Sequence, residues 1–153
     1  MAVQNELGYC MPVAEVCRLR DRYAPEALVH TDTVQALGKI DLPLHDWGVD
    51  LASFSAHKIG GPKGIGALYV KRGTKMFTTA FGGGQERGLR SGTEAVFLIV
   101  GFTEAMRLTY RSREADNEAM RDIWHYTVKR LREEIPSVII NSREDGSPYI
   151  CNI

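Results

Sequence analysis

Lys58 stands just past an apolar run, Asp50-Leu51-Ala52-Ser53-Phe54-Ser55, with Ser55 and His57 beside it. A lysine directly after a buried strand can be desolvated, which lowers its pKa and makes the amine a usable nucleophile. Ser55 and His57 are two donors suited to a phosphate. Asp32 closes an earlier β-rich run, Ala27-Leu28-Val29-His30-Thr31, and Gln35 follows three positions later. A buried carboxylate there can pair with a protonated ring nitrogen, and the Gln35 amide can hydrogen-bond a ring hydroxyl. A lysine for a Schiff base, an acid for a pyridinium and donors for a phosphate are the parts that pyridoxal phosphate (PLP) requires. Spacing alone leaves the plainer alternative open, with Lys58 as a solvated surface lysine and Asp32 as a helix cap.

The elements that must position these groups read as follows. Pro12 starts a helix running to about Tyr23, since proline suits a first turn. Three short runs, at 27–31, 50–55 and 66–70, are apolar on both faces, as buried strands of an α/β sheet are. Polar residues gather just past the ends of the first two, where open α/β sheets bind ligands. A glycine-rich, charged loop spans 82–93. A helix is expected over about 94–111, and a second, more amphipathic one over 114–134, closed by Pro136. Ser137-Val138-Ile139-Ile140-Asn141 reads as a strand. The change of helix character near Ser112 marks a domain boundary.

The chain has 153 residues, 19 basic and 19 acidic, with 44% hydrophobic and 25% charged residues. These are ordinary values for a globular domain and exclude a disordered tail, a collagen-like repeat or a disulfide scaffold. Zero net charge argues against a nucleic-acid or anionic-membrane surface. No apolar run is long enough for a membrane span, and the N-terminus has no signal-peptide pattern, so a cytoplasmic location is expected. Cys10, Cys17 and Cys151 form no CxxC pair, and the four histidines lack zinc spacing, so no metal site is expected. Cys10 and Cys17 read as small structural residues, Cys151 as a strand residue, and Trp47 and Trp124 as packing residues. His45 and His125 read as surface residues, while His30 is either a buried structural histidine or functional. Arg87 and Arg90 either bind an anion or, more in keeping with their setting, anchor the glycine loop across a dimer interface. The glycines at 82–84 lack the P-loop pattern, and no dinucleotide fingerprint follows a strand.

Four segments carry a family resemblance: Asn5-Glu6-Leu7-Gly8, His30-Thr31-Asp32-Thr33-Val34-Gln35, Ser55-Ala56-His57-Lys58-Ile59-Gly60-Gly61-Pro62-Lys63-Gly64, and Gly82-Gly83-Gly84-Gln85-Glu86-Arg87-Gly88-Leu89-Arg90-Ser91-Gly92-Thr93. In order and separation they resemble the cysteine desulfurases of the NifS/IscS group, class V aminotransferases among the fold-type-I PLP enzymes. The resemblance runs through about Arg111 and more faintly to the end. It implies an α/β, three-layer fold with a mainly parallel sheet. Residues 1–112 would be a partial PLP-binding large domain, and 113–153 the beginning of a small α/β domain. It also implies that Lys58 carries PLP as a Schiff base, with Lys58, Asp32 and His57 as the catalytic positions. Asp32 would hold the pyridine nitrogen protonated, Gln35 and Asn5 would bind the ring hydroxyl or substrate, and Ser55 and His57 would hold the phosphate. Thr93 would reach the phosphate in a partner subunit, which implies a homodimer. The implied reaction takes L-cysteine to L-alanine, passing sulfur on as a persulfide for iron–sulfur cluster, thiolated-tRNA or thio-cofactor synthesis through an acceptor protein such as an iron–sulfur scaffold.

The departures are informative. Gln4 stands where the family usually has a first Asn, and Ala56 replaces the usual Gly before His57, which asks for a less permissive backbone. The family's ring-stacking histidine, its catalytic cysteine loop and its substrate-carboxylate arginine have no counterpart here, and none of the three cysteines has the expected context. The chain therefore reads as an internal fragment, inactive by itself and prone to self-association through uncovered strand edges and apolar faces. Two other readings stay open: a neighbouring PLP enzyme such as a selenocysteine lyase or aminotransferase, and a non-catalytic truncated remnant.

Overall fold

A computed structural model describes all residues, 1–153. Its elements are helix α1 (Val13–Tyr23), strand β1 (His30–Asp32), the short helix α2 (Leu44–Trp47), strand β2 (Leu51–Ser55), a 3-10 turn (Ala56–Ile59), strand β3 (Gly66–Val70), a second 3-10 turn (Glu86–Gly88) and helix α3 (Val96–Glu134). The three strands form one sheet in the order β1-β2-β3. β1 and β2 are parallel, and the connection between them contains α2 and is long enough for a crossover. β2 and β3 are antiparallel, because the connection 56–65 is shorter than the dozen or more residues that a parallel return needs. The sheet is thus mixed, with its single parallel pair next to the chemistry-bearing loops.

The core is built from small residues on facing elements. Val13 and Cys17 of α1, Leu44 of α2, Val49, Ala52 of β2, Ala36 and the N-terminal pair Ala2 and Val3 are buried together. A second cluster joins Leu37, Ala56 and Phe102, so α3 packs on the 3-10 turn that follows β2. Arg20 of α1 donates to Asp50 and to the carbonyls of Ala27 (2.8 Å) and Gly48 (2.9 Å), and the Val29 N–H also goes to Asp50, at 2.9 Å. These bonds claim the residues ahead of His30, so β1 is three residues long where the β-rich run suggests more.

Two other expectations change. The helices at 94–111 and 114–134 are one continuous helix of 39 residues. No proline or glycine interrupts it near Ser112, whose hydroxyl bonds back to the Leu108 carbonyl (3.3 Å) and to Asp116 (2.6 Å) inside the helix. A boundary at 112/113 would therefore fall within a helix rather than in a linker. Residues 137–141 form no strand. They lack a neighbouring strand, and Asn141 instead pairs singly with Asn152, by backbone at 2.9 Å and by side chain at 2.8 Å.

Much apolar surface is left open between β3 and α3. Phe77, Phe81 and Phe97 are 92%, 85% and 78% exposed, with Val96 and Val100 close in sequence.

Candidate active site

The site forms because β1 and β2 run in the same direction. Asp32 is registered against Ser53, so both strands open their carboxyl ends on one edge, where α/β sheets gather ligands. Thr33 fixes that edge, donating to the Ser53 carbonyl from its amide (3.0 Å) and its hydroxyl (2.7 Å). The Asp32 side chain is exposed and accepts the Val34 N–H at 2.8 Å through Oδ1, which caps the turn carrying Gln35. The Ala2 N–H donates to the Asp32 carbonyl at 2.7 Å, tying the N-terminal segment to the end of β1. Asn5 lies exposed on the turn that follows. Gln4 Oε1 accepts the Glu6 and Leu7 amides of that turn, so the departure at position 4 has a structural role.

Beyond β2 the chain enters the 3-10 turn with Ser55 Oγ 2.8 Å from His57 Nδ1. Ala56 is fully buried and lies outside the left-handed backbone region, so alanine replaces glycine there without strain. Gly60 ends the turn at φ 76°. Lys58 projects from its rim and is exposed. This corrects the expectation of a desolvated Lys58: the turn lies past the strand end, and nothing in the chain covers it. The half-buried lysine of the region is Lys39, whose pKa burial pushes down, with Lys58's charge adding to the effect. The motifs pass over Lys39; its only signal in the sequence is the i,i+4 spacing from Gln35.

Asn5, Asp32, Gln35, Ser55, His57 and Lys58 thus lie on the strand-end edge or on segments tied to it. Thr93 is exposed at the end of the glycine loop, and no hydrogen bond joins that loop to the other six. The loop closes on itself: Gln85 Oε1 accepts the Gly92 N–H at 3.0 Å, Thr78 donates to the Gly88 carbonyl at 2.8 Å, and Arg90 donates to the Ser91 carbonyl at 2.8 Å. Glu86 and Arg87 sit at φ 48° and 58°, a conformation rare for residues with side chains.

The remaining polar groups are accounted for locally. His30 is exposed, with Nε2 3.1 Å from Ser53 Oγ, so it is not a buried histidine. His125 lies 3.3 Å from Glu144 on the surface. Cys17 is buried, Cys10 and Cys151 are exposed, and Cys151 lies outside any strand. Burial raises the Cys17 thiol above its ordinary value, and partial desolvation of the sulfur does the same at Cys10, where Asp145 adds to the rise, and at Cys151.

As a donor set, the edge has an acid, an amide, a primary amine and a hydroxyl–imidazole pair. Those groups fit a phosphate-bearing pyridine aldehyde: carboxylate to ring nitrogen, amide to ring oxygen, amine to aldehyde, and hydroxyl and imidazole to phosphate.

Residues 1–153 match the family described as Aminotransferase class-V, which is PLP-dependent in general. A mitochondrial cysteine desulfurase of Arabidopsis thaliana is 42% identical over 156 residues, covering 100% of this chain and 34% of that protein. The cysteine desulfurase IscS of Clostridium botulinum is 38% identical over 155 residues, covering 99% of this chain and 38% of that protein. Among solved structures, a NifS-like protein superposes with a TM-score of 0.91 at 40% identity, over 97% of this chain and 40% of that one. DndA from Streptomyces lividans does so with a TM-score of 0.82 at 35% identity, over 97% of this chain and 42% of that one. The chain thus spans 34% to 42% of the length of these relatives, and its mixed sheet and helices are a portion of their α/β fold. On a match that runs from its first residue to its last, the chain belongs to the class-V aminotransferase family.

Proposed function

We propose that this chain is the PLP-binding portion of a cysteine desulfurase that converts L-cysteine to L-alanine and passes the sulfur on as a persulfide. The observation that carries the reading is the parallel register of Asp32 against Ser53, which gives the acid and the Ser55–Lys58 turn a common edge. PLP, when bound, supplies an electron sink for carbanion chemistry at the substrate Cα. Lys58 Nζ attaches the cofactor and serves as base for the Cα proton. Asp32 holds a proton on the ring nitrogen, using the carboxylate oxygen that the Val34 N–H leaves free. Gln35 and Asn5 orient the ring oxygen or the substrate, while Ser55 and His57 hold the phosphate.

The sulfur-accepting thiolate comes from a residue outside these 153, since none of Cys10, Cys17 and Cys151 stands in the family's sequence context for it. Thr93 acts on the phosphate of a partner subunit, and the exposed Phe77, Phe81 and Phe97 support such a homodimer. Residues 1–112 belong to the large domain and 113–153 begin the small one, the two sharing α3. The sulfur goes to an acceptor such as an iron–sulfur scaffold. The reading places the chain in the cytoplasm; no helix is long and apolar enough to cross a membrane, although the Arabidopsis relative is named mitochondrial.

The test is a PLP titration, followed by borohydride reduction and peptide mapping by mass spectrometry. A single pyridoxyl adduct on Lys58, absent in Lys58→Ala, is the expected result. Label spread over many surface lysines would refute the reading.

A further inference from the structure

Lys39 is a half-buried ammonium with no acidic partner. Its one side-chain hydrogen bond goes to the neutral Gln35 Oε1 at 3.2 Å, and Nζ lies 5.1 Å from the centre of the Tyr149 ring. The charge that acts on it is another cation, Lys58. A lysine that only packed its stem would turn its head to water; holding the charge partly desolvated and beside a like charge costs free energy that packing alone does not require. The backbone that carries it is fixed. Its amide donates to the Ala36 carbonyl at 3.0 Å, and its carbonyl accepts from Asn117 Nδ2 of α3 at 2.8 Å.

The contact has a chemical sense. An ammonium can only donate, so the atom it meets must be the amide oxygen, and both N–H groups of Gln35 Nε2 are left for something else. We propose that Lys39 is a positioning residue that holds Gln35 Oε1, so that Gln35 presents its amide nitrogen as a donor to the hydroxyl oxygen of the pyridine ring. This deepens the PLP reading above and rests on it. An unanchored glutamine can offer the ring either end of its amide, and fixing one end removes that ordering cost from binding.

The test is a double-mutant cycle on the dissociation constant for PLP, measured on the whole chain with wild type, Lys39→Met, Gln35→Ala and the pair. Each single change is expected to weaken binding about fivefold, the loss of one hydrogen bond. Lys39→Met in the Gln35→Ala background should cost less than about twofold, because the group it acts through is gone. Without PLP, the side-chain amide resonances of Gln35 should move in Lys39→Met. Lys39→Leu, which likewise carries no donor, run through the same cycle keeps the test decisive should Lys39→Met lose its circular dichroism. Equal losses with and without the Gln35 amide, or unmoved Gln35 resonances, would overturn the role of Lys39 while leaving the PLP reading intact. A wild type with no Lys58 adduct would overturn the PLP reading and this inference with it.

Discussion

Gly38 provides a direct test of how α3 braces the site. It sits at φ +72°, and a Cβ there would come within 2.2 Å of Thr109 Cγ2 on α3. Gly60 has nearly the same backbone, φ +76°, with nothing within 4 Å of its added Cβ. Placing an L side chain in the left-handed region costs about 1–2 kcal/mol, so Gly60→Ala should lose that much and no more. Gly38→Ala should lose the same amount plus about 1–3 kcal/mol for forcing a methyl into a packed contact. Any gain from stiffening the unfolded chain is common to both variants and cancels in the comparison. Thr109→Ser deletes the offending methyl and keeps the hydroxyl that reaches the Ile59 carbonyl at 3.5 Å. Combined with Gly38→Ala, it should restore about 1 kcal/mol or more. The assay is urea unfolding followed by tryptophan fluorescence, with midpoints compared at constant slope. Equal losses at positions 38 and 60, or no recovery with Thr109→Ser, would show that α3 does not press on the turn after Asp32, and the bracing argument would fall.

Other changes address other parts of the fold. Burial by itself would raise the Asp50 carboxyl, but the Val29 N–H, the Arg20 guanidinium and the Lys71 charge outweigh it and hold the group below its ordinary value of 3.8. The stability so gained is whole above that ordinary value and is lost as pH falls through the lower folded one. Asp50→Asn should therefore flatten the acid limb of a Tm-against-pH curve, and should cost about 1–3 kcal/mol at neutral pH because Arg20 loses its buried carboxylate and keeps only Asp21, 2.6 Å from Nε. Cys10 and Cys151 should alkylate slowly in the native protein and Cys17 only after unfolding, as read by mass spectrometry of iodoacetamide-treated chain; rapid native labelling of Cys17 would contradict its burial. Phe77→Ser with Phe97→Ser should shift sedimentation velocity toward the monomer; unchanged self-association would place the contact elsewhere.

The apolar runs located all three strands, but the expected burial on both faces fails for β3, an outer strand whose Gly66, Ala67 and Leu68 are exposed. β3 occupies the positions read from Gly66–Val70. The start of β1 was not legible, because the competitor for its hydrogen bonds is Arg20–Asp50, a long-range pair that no local pattern announces. The continuity of α3 was hidden by a change of amphipathic face, which alters what a helix packs against without breaking its hydrogen bonds. The strand expected at 137–141 failed for want of a partner, a condition that composition cannot supply. Around the site, the motif positions were readable one by one, and parallel pairing explains why those on β1 and β2 share an edge. Solvent access was not readable: Lys58 stands at the uncovered rim, and the desolvated amine belongs to Lys39.

At 1.5 Å per residue, α3 is a rod about 58 Å long, and it meets the lysine-bearing turn near one end. Phe102 and Ala105 make that contact, while Trp124 and Val128 are buried far along the helix. Between the two, Arg113 pairs with Asp41 at 2.6 Å and Asn117 Nδ2 donates to the Lys39 carbonyl at 2.8 Å. From Phe102 to Asn117 these ties run along about 22 Å of the rod. No tilt that moves Trp124 can leave them intact, so the first half of α3 is a fixed wall behind the seat of Lys58.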